Sequence, residues 1–191
     1  NVAMLVDCGD TGAYPKIEKH LKKCDISKLD YLVITHPHED HVGSAAMVIE
    51  KFSPKTVFLC KDTSSSFCYE DMLDAIDSSS CIAKIPDIGC KYSFKDLEFT
   101  FLSPLEEFND ENDNSLVLRI QYKDTACLLM GDAQADAENA IAENFPDLQA
   151  DVIKIGHHGS REGTKPGFIN MTMTDEYLVK VLGDICDDEN I

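Results

Sequence analysis

No run in this 191-residue sequence approaches the roughly 20 apolar residues that a membrane-spanning helix requires. Basic residues are scarce: Lys and Arg number 17 against 35 Asp and Glu, a net charge of −18. Such a surface repels phosphate backbones and anionic membranes at long range, which argues against non-specific binding of long nucleic acid. Its plainest consequence is solubility. None of the eight cysteines (Cys8, Cys24, Cys60, Cys68, Cys81, Cys90, Cys127 and Cys186) forms a C-x-x-C pair, so the spacing fails as a zinc finger. Cys60 and Cys127 lie in apolar runs, and the set reads as reduced, mostly buried thiols of a cytoplasmic protein. Disulfides stay open for an exported one. The chain opens at Asn1 already inside an apparent strand, so a trimmed amino terminus is expected and a missing leader proves little. With 43% hydrophobic residues the sequence suits one good core, and a single domain over 1–191 is expected.

Histidine is also sparse. There are six, and five fall in two short clusters. The first is Thr35-His36-Pro37-His38-Glu39-Asp40-His41-Val42-Gly43. It follows Asp30-Tyr31-Leu32-Val33-Ile34, whose branched apolar side chains read as a buried strand, and precedes a helix beginning at Gly43. The cluster therefore lies at the carboxyl end of a strand, where layered α/β proteins carry their chemistry. Neutral imidazole and carboxylate are standard ligands for zinc and similar divalent ions. On a tight turn His36 and His38 can serve one ion while Asp40 and His41 swing to a neighbouring position. The second cluster, Gly156-His157-His158-Gly159-Ser160, follows the strand-like Asp151–Ile155. Gly156 and Gly159 let the backbone approach closely. Only one of His157 and His158 need be a ligand; the other can orient substrate or donate a proton. A third strand, Ala126–Met130, ends at Gly131-Asp132.

The remaining pattern is that of an α/β chain. Strands are expected over Val2–Val6, Thr56–Cys60, Cys81–Ile85, Tyr92–Phe94, Leu97–Leu102 and Ser115–Tyr122. Helices are expected over Tyr14–Lys23, with Ile17 and Leu21 inward, and over Gly43–Phe52, Phe67–Ile76 and Gln134–Asn144. Pro104–Asn114 reads as a polar, acidic loop.

His36-x-His38-x-Asp40-His41 after a hydrophobic strand resembles the signature of the metallo-β-lactamase fold superfamily. The likeness implies an αββα sandwich of two mixed β-sheets flanked by helices, and a hydrolase that uses a metal-activated water. It implies two divalent metal ions, zinc or manganese, held by His36, His38, Asp40, His41, Asp132 and one of His157 and His158. Asp132 matches the metal-bridging carboxylate, and Asp7, after the first strand, matches an aspartate that orients a ligand histidine. Many members carry His-x-x-Gly-Ser before the strand that begins here at Ser115. This chain reads Glu111-Asn112-Asp113-Asn114-Ser115, which puts Glu111 at the position of that histidine. Together with Gly131-Asp132 and His157-His158-Gly159-Ser160, it resembles instead the ComEC-like branch, the hydrolase domain of competence DNA-uptake proteins. Asn114 and Ser115 either bind a substrate oxygen or cap a turn, and Asp40 and His158 are the candidates for proton transfer. The likeness covers about residues 1–165. Over 166–191 the strand and terminal histidine usual in relatives are expected to be missing.

The resemblance points to a phosphodiester or another phosphoester, with a DNA nuclease and a non-catalytic binding module as alternatives. β-Lactam cleavage is disfavoured by the Glu111 position. No Ser-His-Asp pattern offers a side-chain nucleophile.

Overall fold

The computed structural model describes residues 2–179, and no side chain beyond residue 172. The chain forms two compact units, 1–86 and 87–191. Each carries one β-sheet with helices, an α/β organisation. Among the described residues no helix is long and apolar enough to cross a membrane.

In the first unit, β1 (Met4–Val6), β2 (Tyr31–Ile34), β3 (Thr56–Leu59) and β4 (Ile82–Lys84) lie in the order β1-β2-β3-β4. Every pairing is parallel. Parallel neighbours need long crossovers, and α1 (Tyr14–Lys23), α3 (Ala45–Phe52) and α4 (Phe67–Asp77) supply them. Leu32, Val33 and Ile34 of β2 are all buried, so the strand is covered on both faces, which is why its sequence is a continuous apolar run. Leu21 of α1, Val48, Ile49 and Phe52 of α3, and Met72 of α4 close the core with Leu32 and Ile34. Between β2 and α3 stands α2 (Glu39–Val42), a single helical turn inside the histidine-rich bend.

In the second unit the strands are β5 (Lys91–Phe94), β6 (Leu97–Ser103), β7 (Val117–Tyr122), β8 (Thr125–Leu129), β9 (Ala150–Lys154) and β10 (Met173–Val179). Their order is β10-β9-β8-β7-β6-β5. β5 to β8 are antiparallel neighbours, joined at Lys95-Asp96 and Lys123-Asp124 by two-residue turns. Lys95 and Lys123 take positive φ (55° and 53°), the backbone hand that matches the twist of a tight hairpin. β9 and β10 run parallel to their neighbours, reached through α5 (Ala135–Asn144) and α6 (Pro166–Thr172). β10 corrects the expectation that the strand after Ser160 is missing: it pairs with β9, with a register shift between Met173 and Leu178. The acidic tail Asp187–Asn190 and the question of a terminal histidine lie outside the described residues.

The seven cysteines among the described residues are all free thiols. Burial raises the Cys8 thiol well above its ordinary value and pushes Cys60 up to about 12, so both are inert, packed side chains.

Candidate metal centre

The histidine bend is built on β2. Beyond Ile34, Thr35 and His36 are buried, 1% and 0% exposed. Asp7, just past β1, is held against them by the parallel pairing, its own N–H donating to the Val33 carbonyl at 2.8 Å. Its backbone is left-handed (φ 60°), which turns the carboxylate back toward β2. There it accepts three hydrogen bonds: from the Thr35 N–H at 2.8 Å, from the Thr35 hydroxyl at 2.9 Å, and from His41 Nδ1 at 2.7 Å.

Those bonds fix the protons. An ionised carboxylate only accepts, so His41 carries a hydrogen on Nδ1. The Thr35 hydroxyl spends its single hydrogen on Asp7. At 3.1 Å from His36 Nδ1 it then accepts, so His36 carries a hydrogen on Nδ1 too. One carboxylate thus sets the tautomer of two imidazoles, the usual arrangement behind metal-ligating histidines. His36 Nε2 lies 3.0 Å from His38 Nδ1, and the His36 ring centroid is 4.5 Å from that of His38 and 4.1 Å from that of His41. Asp40, on the exposed side of α2, places Oδ2 3.6 Å from His41 Nε2. Convergent neutral nitrogens with a carboxylate at the rim are a donor set that suits a borderline divalent ion such as zinc.

The second unit offers a corner of its own. β8 runs into Gly131, whose φ of 56° turns the chain so that Asp132 points inward, 2% exposed. The Asp132 N–H donates to the Ser115 hydroxyl at 3.2 Å. Lys154 Nζ donates to the Gly131 carbonyl at 2.8 Å and lies 3.7 Å from Asp132 Oδ1. His157 and His158 both occupy left-handed backbone, with φ 45° and 52°. Such conformations are costly for residues with a Cβ and concentrate at functional sites. His158 Nε2 lies 3.2 Å from Asp132 Oδ2, while His157 Nδ1 turns to the Gln134 side-chain oxygen at 3.4 Å.

A model of the metallo-beta-lactamase superfamily matches residues 1–172. The chain belongs to that superfamily. The metallo-beta-lactamase fold is likewise that of its structural neighbours. A B3 metallo-beta-lactamase distinguished by an active-site glutamic acid matches 86% of this chain and 73% of its own, with a TM-score of 0.59 and 13% identity. The Rm3 metallo-beta-lactamase matches 79% and 66% at a TM-score of 0.53 and 15% identity. Among curated proteins the chain is similar to ComE operon protein 3 of Bacillus subtilis, 32% identical over 145 residues, 75% of this chain and 19% of that protein. It is also similar to competence protein ComA of Neisseria gonorrhoeae, 26% identical over 186 residues, 96% of this chain and 24% of that one. The chain spans about a fifth to a quarter of the length of these relatives, and the similarity is consistent with a ComEC-like branch of the superfamily. Superfamily members are generally metal-dependent hydrolases.

Within the first unit, the superfamily signature residues His36, His38, Asp40 and His41 are brought together, with Asp7 beneath. Within the second, Asp132 and His158 meet and His157 stands apart. Asn114 is 6% exposed and both ends of its amide are engaged by the Phe108 backbone, at 2.9 and 3.1 Å, so it staples the acidic loop. Ser115 supports the Asp132 turn, and Glu111 is an exposed turn residue. Three participants escaped the sequence reading. Lys154 had a signal, a cation inside an apolar strand. Thr35, between a strand and a histidine, and Asp113, which caps α5 by accepting the N–H groups of Gln134 and Ala137, had none.

Glu138 is a further buried acid, 2% exposed in the middle of α5. Burial pushes its carboxyl up to about 7, against the opposing hydrogen bonds from Lys165 and Thr164. A carboxyl that titrates higher in the folded chain than its ordinary 4.5 is bound more tightly to its proton when folded. The contribution of this group to stability is therefore greatest at acid pH and falls as pH rises from about 4.5 to about 7. Glu138→Gln lacks that titration. The difference in urea midpoint between wild type and Glu138→Gln is expected to move against wild type from pH 5 to pH 7 and to stay level from pH 8 to pH 9.

Proposed function

We propose that this chain is a metal-dependent phosphodiesterase whose histidine bend and Asp132–His158 corner supply ligands for two divalent ions, zinc or manganese. The observation that carries the reading is the gathering of the signature residues His36, His38, Asp40 and His41 at one bend, with Asp7 hydrogen-bonded to His41 and Thr35 beneath them. In this reading His36, His38, Asp40, His41, Asp132 and His158 hold the ions. A divalent ion bound there supplies Lewis acidity, lowering the pKa of a coordinated water toward 7 and offsetting phosphoryl charge. The chain's own groups then move the protons. Asp40, at the exposed rim beside His41, takes a proton from the attacking water. His157, the member of the pair that stands apart from Asp132, delivers one to the departing alkoxide. Lys154 supplies a fixed positive charge next to Asp132.

A phosphodiester fits the similarity to proteins named for competence, and to recombination protein 2 of Haemophilus influenzae, 26% identical over 152 residues. The net charge of −18 favours a short diester or a strand end over a long duplex track. The alternative, a binding module on a degenerate site, is motivated by Glu111 at the position of the usual motif histidine.

The test is metal content by mass spectrometry followed by turnover of bis(p-nitrophenyl) phosphate. Loading with zinc or manganese is expected to give hydrolysis that EDTA abolishes and re-addition restores. Absence of both metal uptake and turnover would leave the binding module. Digestion of short single-stranded DNA then separates a nuclease from a small-molecule esterase.

A further inference from the structure

α5 begins three residues after Asp132, and the loop that carries His157 and His158 is tied back to it. The tie is the buried Glu138. Its two carboxylate oxygens accept the Lys165 N–H at 3.0 and 3.3 Å, and the Thr164 hydroxyl donates to it. The same Thr164 oxygen accepts the Gly156 N–H at 2.7 Å. Gly156 immediately precedes the two left-handed histidines. Its other side is closed as well: a Cβ on Gly156 would lie 2.1 Å from the Ala133 carbonyl oxygen, and one on Gly163 would lie 2.4 Å from the Gly156 oxygen. The loop is therefore clamped at its start and end to the helix that follows Asp132.

We propose that Glu138, acting through Thr164, is a positioning residue that holds Gly156 and thereby keeps His158 against Asp132. Two consecutive residues with Cβ atoms persist at positive φ only where their surroundings over-determine them. A carboxylate buried at this depth is itself costly unless its hydrogen bonds are worth keeping. The bonds to Thr164 and Lys165 meet both needs with one group. Asp113, which caps the start of the same helix, raises the Glu138 carboxyl, and Lys165 lowers it. The consequence for metal binding rests on the function proposed above; the clamp itself does not.

Thr164→Val removes the hydroxyl at nearly constant volume, Thr164→Ser keeps it, and Glu138→Gln puts an amide N–H₂ where one of the two donors needs an acceptor. Amide hydrogen exchange over residues 156–160, with no metal present, is expected to quicken at least ~10-fold in Thr164→Val and Glu138→Gln. Exchange in β7 and β8 should stay unchanged, and Thr164→Ser should match wild type. Unchanged exchange over 156–160 in both breaking variants overturns the clamp. Zinc titration by calorimetry is expected to show ~10-fold weaker binding in the same two variants, with recovery in Thr164→Ser. Faster exchange with wild-type zinc affinity overturns the positioning role. If wild type binds no zinc or manganese, the function proposed above fails, and the exchange experiment still decides the clamp. Should Glu138→Gln fail to fold, Thr164→Val alone carries both measurements.

Discussion

Asp7→Asn is expected to leave the first unit folded and to weaken its affinity for zinc by about 100-fold. The outer partners of metal-ligating histidines are worth 10–100-fold in metal affinity, and this carboxylate serves two of them. The amide oxygen still accepts the Thr35 N–H that now goes to Asp7 Oδ1 at 2.8 Å. The amide nitrogen, however, replaces Oδ2, the atom that receives both the Thr35 hydroxyl and His41 Nδ1. A donor now faces two donors. His41 relieves the conflict by moving its hydrogen from Nδ1 to Nε2, and that places a proton on the lone pair a metal would use. The Thr35 hydroxyl is released from Asp7 as well, so the tautomer of His36 is no longer set. Asp7→Ala removes the acceptor altogether and leaves part-buried donors unsatisfied, at a cost of about 1–3 kcal/mol each. The two variants therefore separate tautomer from stability. Nitrogen-15 chemical shifts of the His41 ring report the tautomer, urea midpoints report stability, and calorimetry reports zinc affinity. Wild-type zinc affinity in Asp7→Asn, with the His41 proton moved to Nε2, would show that this imidazole is not a ligand.

The bend that makes this network was legible because its parts are contiguous. A buried strand announces itself as an apolar run, and three imidazoles and an aspartate within six residues have few other uses. The same holds for Gly131-Asp132 after β8 and for the paired histidines after β9. Long-range partners were not legible, because the bonds that matter join residues far apart in order. Asp7 reaches across 34 residues to His41, and Asp113 across 21 to Gln134. The motif Asn112-Asp113-Asn114-Ser115 left two readings open, ligand to substrate or cap of a turn. In the structure Asp113, Asn114 and Ser115 each bond to backbone, of α5, of the acidic loop and of the Asp132 corner respectively. β10 was missed for a local reason. Its first half, Met173-Thr174-Asp175-Glu176, has no apolar run to signal a strand, and its pairing with β9 shifts register before Leu178.

The steric clamp on the second histidine cluster gives the other large expectation. Gly156→Ala is expected to destabilise the chain by about 3 kcal/mol, whereas Gly167→Ala should be neutral or mildly stabilising. Backbone strain does not enter at Gly156, because its φ of −69° is open to any residue. The obstacle is the Ala133 carbonyl oxygen, 2.1 Å from where the new Cβ would sit, with the carbonyl carbon at 3.3 Å. That oxygen belongs to main chain just before α5, which Asp113 fixes at its first turn, so no side-chain rotation can make room. Overpacking that only the backbone can relieve falls at the severe end of the usual 1–3 kcal/mol range. Gly167, in the first turn of α6, has nothing within 4 Å of its added Cβ, and alanine there gains up to about 1 kcal/mol of helix propensity. The pair isolates one contact by urea denaturation. A Gly156→Ala midpoint equal to that of wild type would mean that the 156–159 turn can move off Ala133 without loss, and that the approach of His158 to Asp132 is not held by packing.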